Sequence, residues 1–172
     1  MLILDFLNSL DLRPYHEQLD SPRALTAWLV EQGLAEPGFE ATADDFRETI
    51  ELREALRTLL AAKNGLPGAV EGAAAVLDRA ARHSDLAVRF TADGLRIEPC
   101  VDACGGALGR VLGEVATAMA DGTWERLKAC RAEDCRWAFL DESKNQSRAW
   151  CSMQSCGNRE KVRAYRARHA HA

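Results

Sequence analysis

Four cysteines in the last third of the chain form two close pairs. Four residues separate Cys130 from Cys135 and Cys151 from Cys156, and fifteen residues lie between the two pairs. Tetrahedral zinc takes four soft ligands, and each close pair can supply two of them from one turn of backbone. The pattern therefore predicts one structural zinc ion that is bound by all four thiolates and has no open coordination position for catalysis.

Other uses of the cysteines remain open at this point. The four could form two disulfides or be unrelated core residues, and His169 or His171 could replace one ligand. The first residues do not have the basic and apolar pattern of a secretory signal, so we expect a cytoplasmic protein, in which paired cysteines more often bind metal than form disulfides. Cys100 and Cys104 are four residues apart and are expected to be core residues on one face of a helix.

The residues around the cysteines predict the shape of a small zinc finger. Residues 137–141 and 148–150 have the composition of short strands, and the polar segment 142–147 between them is typical of a turn. Cys156 stands just before a helical run that starts near Asn158, where the positive end of the helix would stabilise a thiolate. The order of knuckle, hairpin and helix predicts a treble-clef-like finger.

The helix after Cys156 is strongly basic. We expect Val162, Tyr165 and His169 to share a face that docks on the finger. Arginine suits phosphate oxygens and guanine edges, and a helix fits the major groove, so the basic residues predict contact with nucleic acid. The candidate contacts on the helix are Arg159, Lys161, Arg163, Arg166 and Arg168, and Lys144 and Arg148 in the hairpin would add phosphate contacts.

The charge is unevenly distributed along the chain. Residues 123–172 have 11 basic and 6 acidic side chains, for a net charge of +5, whereas residues 1–122 have a net charge of −9. This asymmetry indicates that only the last segment meets a polyanion. The alternatives are a solvated helical face, or a basic segment that neutralises the acidic body within the molecule.

The body, residues 1–122, reads as mainly α-helical with one small β-hairpin. A helix is predicted from Pro22, after the N-cap Ser21, and a second from Thr42 to Asn64. A third follows Pro67, with Val70, Ala74, Leu77 and Ala81 directed inward, and a fourth runs from Pro99 to Gly122 with Cys104, Leu108, Val111, Leu112, Val115 and Met119 on one side. Residues 86–97 alternate around a turn at 92–94, which predicts the hairpin. Residues 123–172 are then the finger.

The composition excludes some classes of protein. Of the 172 residues, 47% are hydrophobic and 28% are charged, which is typical of a globular domain. No apolar run approaches the ~20 residues of a membrane span. The sequence has no nucleophile elbow, phosphate loop or open metal site, so we expect a protein that is not an enzyme. The remaining classes are a nucleic-acid-binding regulator and a protein-interaction module whose finger is an assembly surface.

Two polar residues stand in apolar surroundings in the body. Asn8 lies in the apolar start of the chain, and Arg53 lies within the apolar pattern of the second predicted helix. Buried polar groups need partners, and a small-molecule effector is one possible partner. A structural hydrogen bond between elements is the other.

The finger resembles the CGNR zinc finger, and the four residues that give this family its name are Cys156-Gly157-Asn158-Arg159 here. The same resemblance extends to two nearby segments, Trp137-x-Phe139-x-Asp141 and Ser147-Arg148-x-Trp150-Cys151-Ser152-Met153. The body is similar to the helical ABATE domain that precedes this finger, at Asp5-Phe6-Leu7-Asn8-Ser9, at Leu25-x-x-Trp28-Leu29-x-x-x-Gly33-Leu34 and at Leu52-Arg53-x-Ala55-Leu56. The resemblance implies a bacterial transcription regulator that binds DNA, does not exclude RNA, and specifies neither an effector nor an oligomeric state.

Overall fold

The computed structural model describes residues 1–92 and 94–169, and the side chain of Ala103 is not part of that description. Asp93, in the predicted turn, and His171, an alternative ligand, lie outside the described residues. The helices are α1 (Leu2–Leu7), α2 (Pro22–Glu31), α3 (Ala43–Lys63), α4 (Val70–His83), α5 (Ala103–Asp121) and α6 (Asn158–His169). Three antiparallel strand pairs join them: β1 (Leu10–Leu12) with β2 (Tyr15–Glu17), β3 (Leu86–Thr91) with β4 (Gly94–Pro99), and β5 (Leu127–Ala129) with β6 (Ala138–Leu140).

The fold is mainly α-helical, as predicted, and local signals place its first long helices. The Ser21 side chain accepts a hydrogen bond from the Ala24 amide at the start of α2. Thr42 and Asp45 form a reciprocal capping box at the start of α3. Each cap satisfies amides that the first turn of a helix leaves without a partner, so the sequence alone locates these starts. The short α1 and the β1–β2 hairpin were not predicted.

Half of the predicted inward face of α4 is wrong, whereas Leu77 and Ala81 pack against the core as predicted. Val70 is 44% exposed and Ala74 is exposed, whereas Ala73 is buried and Leu77 is partly buried. The run Ala73-Ala74-Ala75 has no polar residue that marks the outer face, so its periodicity fits more than one register. At the end of α5, Met119 is also exposed, while Cys104, Leu108, Val111, Leu112 and Val115 are buried as predicted.

The predicted hairpin forms, but only its inner half is packed. Val88 pairs with Ile97 and Phe90 pairs with Leu95, so these side chains share one face. Phe90 and Leu95 are exposed at the distal end. Strand β4 lies directly against α5, where a Cβ atom on Gly113 would collide with the carbonyl oxygen of Ile97. Glycine at this position therefore allows the close contact of strand and helix.

One core joins the helical body to the first strands of the finger. Ile3 and Phe6 of α1 are fully buried, and Leu127 and Ala129 of β5 are equally inaccessible. Ala138 of β6 belongs to the same cluster. The strand pair β5–β6 therefore packs as part of the body, although it belongs to the finger segment of the sequence. No helix among the described residues is long and apolar enough to cross a bilayer.

Candidate metal centre and nucleic-acid interface

The sulfur atoms of Cys130, Cys135, Cys151 and Cys156 lie within 4.8 Å of one another. The Cys135 and Cys151 sulfurs are 3.6 Å apart, and the Cys151 and Cys156 sulfurs are 3.7 Å apart. Zinc–sulfur bonds of about 2.3 Å at tetrahedral angles place the sulfurs about 3.8 Å apart, whereas a disulfide needs about 2.05 Å. The geometry therefore fits one tetrahedral ion and no disulfide among the described cysteines.

Without a cation among them, these four thiols would not all ionise. A hydrogen bond from Cys135 lowers the pKa of Cys130 to about 5. Burial raises the pKa of Cys151 to about 12, and the negative charge of Cys130 acts in the same direction. Four clustered thiolates repel one another, so a divalent cation supplies the charge that allows all of them to ionise.

The first pair of cysteines stands in the turn of the β5–β6 hairpin. Ala129 pairs with Ala138, and the Cys130 amide donates a hydrogen bond to the Trp137 carbonyl oxygen, so the chain reverses through Cys135. The predicted strand 137–141 is confirmed as β6, but its predicted partner, residues 148–150, is wrong because that segment forms no strand. Strand β5 carries no turn signal of its own, which is why the sequence did not identify it.

A buried carboxylate organises the segment between the cysteine pairs. Asp141 is fully buried and accepts hydrogen bonds from the Lys128 ammonium at 2.7 Å, from the Ser143 hydroxyl at 2.6 Å and from the Arg148 amide at 2.9 Å. Burial opposes ionisation, but the Lys128 charge and the other donors outweigh it and hold the pKa of Asp141 below its usual range. These bonds fold residues 142–148 back on β6 and bring Cys151 to the first pair.

The second pair stands at the start of α6. Residues Met153–Gly157 form a single π-helical turn, and the Ser152 side chain accepts a hydrogen bond from the Ser155 amide at its start. A Cβ atom on Gly157 would collide with the Met153 sulfur and crowd the ring of Trp150. Glycine at position 157 therefore lets Met153 and Trp150 pack closely beside Cys156, although the exposed Met153 side chain could move. Trp137, Phe139 and Trp150 surround the cysteines, as predicted.

Side chains from the body hold the finger at several points. Asn8 makes two hydrogen bonds to the backbone of Ala138. The Asn64 amide group donates to the carbonyl oxygens of Ala129 and Ala149, at 2.8 and 3.0 Å, and so ties the two halves of the finger together. Arg57 donates to the carbonyl oxygen of Arg136. The sequence did not identify Asn64 and Arg57, because their partners are backbone atoms far along the chain.

Asn8 and Arg53, the candidate ligand-binding residues, both have protein partners. Arg53 is 2% exposed and donates to both oxygens of Glu17, at 2.7 and 2.6 Å, to the Ser9 hydroxyl and to Glu54. The carboxylates and the hydroxyl satisfy the donors that burial would otherwise leave unpaired. Hydrogen bonding between elements therefore accounts for both residues, and their role in ligand binding stays a prediction.

Four of the candidate nucleic-acid contacts lie together on an exposed helix. Lys161, Arg163, Arg166 and Arg168 are all exposed on α6, which has no buried residue over its described length. The predicted docking of Val162 and Tyr165 on the finger is wrong, since their exposed fractions are 48% and 57%. Tyr165 stacks on His169 of the same helix instead, with ring centroids 4.1 Å apart. From Lys161 to His169 every residue of the helix is exposed, so no other part of the described chain covers this face.

The other three candidates differ in their surroundings. Arg159 is half-buried, pairs with Asp134 at 2.7 Å and lies 3.6 Å from the Cys156 sulfur. Arg148 covers the Phe139 ring and donates to the carbonyl oxygen of Cys151 at 2.7 Å. Lys144 is exposed in the loop between the cysteine pairs. Arg159 and Arg148 thus have structural contacts in the finger, and phosphate binding by all three stays a prediction.

Comparison with known families agrees with this architecture. Residues 126–169 match the CGNR zinc finger. Residues 1–122 match ABATE, a family described as "Putative stress-induced transcription regulator". No curated protein matches the sequence. The chain belongs to the ABATE family and has a CGNR zinc finger after its ABATE domain.

Proposed function

We propose that this protein is a zinc-dependent transcription regulator that binds DNA through α6. The observation that supports this function is the group of four exposed cations, Lys161, Arg163, Arg166 and Arg168, on a helix that starts at the metal site. Helix α6 has 12 residues, which corresponds to a length of about 18 Å. The major groove admits a helix of this kind, and arginine can bind both phosphate and guanine.

The metal would set the position of this helix and take no part in chemistry. Cys156 is buried at the start of α6, and α6 has no buried residue of its own, so the helix depends on the finger for its placement. With four cysteine ligands, zinc has no open coordination position. The proposal therefore includes a structural zinc ion and no enzymatic activity. It also includes a cytoplasmic location, where a reducing environment keeps the thiols available for zinc.

Salt dependence tests the proposal. Binding of purified protein to labelled duplex DNA is measured by fluorescence anisotropy between about 50 and 200 mM salt, a range over which several phosphate contacts change the affinity steeply. Each neutralised phosphate releases condensed counterions, so replacing Arg163 and Arg166 with Ala should lower the affinity and reduce the salt slope by roughly two. Zinc content should not change.

The matched control removes the same charge from the body. Arg89 and Arg96 face each other across the β3–β4 hairpin and are exposed. Replacing both with Ala should leave the affinity and the slope unchanged. An unchanged salt slope in the α6 variant would show that DNA contacts another part of the protein. Competition with a single-stranded and a duplex RNA then distinguishes DNA from RNA as the preferred partner.

The second candidate is a protein-interaction module, and the exposed apolar side chains of α6 favour it. Val162 and Tyr165 lie on a helical face that nothing covers within the described residues. If neither DNA nor RNA binds at low salt, this face is the better candidate for the functional surface. Alanine at both positions would then abolish association with a protein partner, whereas a DNA-binding α6 would keep most of its affinity.

A sensing role for the ABATE domain is also part of the proposal. Body and finger share one core and are joined by the hydrogen bonds of Asn8, Arg57 and Asn64. A ligand that shifts α1 or α3 would therefore displace the finger backbone at Ala138, Arg136 or Ala129. The effect to measure is a change in DNA affinity when a ligand binds to the body.

A further inference from the structure

One buried donor in the described part of the chain has no partner. The Nη1 atom of Arg136 is buried and makes no hydrogen bond to any described residue. A buried guanidinium nitrogen without an acceptor is costly, and a bound water, ion or ligand is one way to satisfy it. Arg136 directly follows Cys135 of the metal site and has a positive φ of 53°, which is uncommon for a residue other than glycine.

Arg136 lines a groove between helices α3 and α4. The groove has a volume of about 440 Å³ and otherwise has mostly small or apolar walls. These walls include Ala55 and Ala61 of α3, Pro67 of the connection, and Ala69, Ala73 and Val76 at and within α4. Gly68, just before α4, lies close to Thr58, and Gly72 leaves open space in the groove wall. The volume suits a small organic molecule with an apolar part.

Among the described charges around the groove, one cation has no ion-pair partner. Glu51 pairs with Arg79 at 2.6 Å, and Glu54 pairs with Arg53 and Arg57 at 2.9 and 3.1 Å. Arg53 forms a second ion pair with Glu17. The network thus contains three glutamates and, with Arg136, four arginines. A single negative charge balances it. The carboxylates of Glu51 and Glu54 belong to the groove wall, so they repel a dianion such as phosphate more strongly than a monoanion.

We propose that this groove binds a small monocarboxylate whose carboxylate pairs with Arg136 and whose apolar part lies between α3 and α4. An arginine fork is well suited to a carboxylate, and the alanine, proline and valine walls suit a short hydrocarbon or a single ring. The ligand would contact two body helices and a residue of the metal-binding knuckle. It would therefore be the effector in the sensing role proposed above. This effector role rests on the proposed function, whereas binding of the monocarboxylate does not.

Benzoate is the test probe, because it joins one carboxylate to one apolar ring. Isothermal titration of the zinc-loaded full chain should give one binding site per chain. Benzamide, which has the same shape without the charge, and inorganic phosphate should bind at least tenfold more weakly. Arg136→Gln should lower the benzoate affinity at least tenfold, and Arg136→Lys should restore part of it because the charge returns.

A second variant tests the groove without changing Arg136. Gly72 is exposed in the first turns of α4, and a side chain there meets little besides Ala69. Gly72→Leu should fill the groove and abolish benzoate binding, while the better helix propensity of leucine maintains the fold. Arg89→Gln, on the distant β3–β4 hairpin, is the control and should bind benzoate as the wild type does.

The outcomes separate this proposal from the DNA-binding one. Absence of benzoate binding to the wild type, or equal binding by Arg136→Gln, would overturn the monocarboxylate site. Unchanged binding by Gly72→Leu would place benzoate outside the groove and would also overturn it. Arg136→Gln should keep its zinc and its affinity for DNA without benzoate, so a failure of DNA binding leaves the titration result intact.

Discussion

The side chain of Asn8 forms a reciprocal pair of hydrogen bonds with the backbone of Ala138. Asn8 Nδ2 donates to the Ala138 carbonyl oxygen at 3.0 Å, and the Ala138 amide donates to Asn8 Oδ1 at 2.9 Å. The side chain thus continues the β5–β6 pair as a neighbouring strand would. It connects the end of α1 to the strand that follows the first two cysteines.

Replacing Asn8 with Asp should destabilise the protein by about 2 kcal/mol, because the second carboxylate oxygen would face the Ala138 carbonyl without a donor between them. Urea unfolding at pH 7, followed by circular dichroism, measures this change. Asn145→Asp is the matched control, since Asn145 is exposed in the loop between the cysteine pairs. An equal loss in both variants would show that the Ala138 contact does not contribute.

Zinc content should depend on four of the six cysteines. Cys151→Ser should reduce zinc to well below one ion per chain and disorder the segment around α6, because the metal provides most of the stability of a small finger. Most of the far-UV helical signal should remain, since the body helices pack with β5 and β6 in a core that does not include the cysteine cluster. Plasma emission spectrometry on gel-filtered protein gives the stoichiometry.

The other two cysteines should not affect zinc binding. Cys104 is buried against Thr49 and burial raises its pKa to about 12, so it is an unreactive core thiol. The prediction that Cys100 is a core residue on a helix is wrong, because Cys100 is exposed and precedes α5. Replacing both with Ala should cost roughly 1 kcal/mol and leave zinc content unchanged. A fall in zinc would show that the ligands are misassigned.

Arg159 and Arg166 should differ in their effect on the metal. Arg159 pairs with Asp134 and lies beside the Cys156 sulfur, so Arg159→Ala should weaken zinc affinity about 10- to 100-fold, as the loss of groups that support metal ligands does. Arg166 is exposed, and Arg166→Ala should leave zinc affinity unchanged. Competition with a chromophoric chelator measures both. Equal affinities would mean that Arg159 has no supporting role.

Lys63 should make stability depend on pH in the alkaline range. Burial lowers its pKa to about 8, and its ammonium group contacts the Trp124 ring and carbonyl oxygen. In the unfolded chain the pKa is about 10.4, so between these values the unfolded state binds more protons and stability rises with pH. The cost of the buried charge is therefore present below pH 8.

A comparison with Lys63→Met isolates this effect. Relative to the variant, the wild type should gain on the order of 1 kcal/mol between pH 7 and pH 10, a value reduced for solvent screening because the side chain is only partly buried. Urea unfolding at pH 7, 8.5 and 10 provides the measurement. Parallel curves for both proteins would show that Lys63 keeps its ordinary pKa in the folded state.

Local signals in the sequence predicted the long helices and the cysteine cluster. Ser21 and Thr42 mark helix starts because a capping side chain bonds to amides only three residues away. The cysteine spacing identified the cluster because each pair comes from one turn of backbone. These features depend on neighbouring residues, so the amino-acid pattern contains them.

Only the tertiary structure decided which residues join the body to the finger. Asn64 contacts Ala129 and Ala149, and Arg57 contacts the Arg136 carbonyl oxygen, through backbone atoms whose chemistry is the same at every residue. The exposure of Tyr165 has a related cause, since the helical period shows which residues share a face but not whether another element covers it. Partners that are distant in sequence and unspecific in type leave no local pattern.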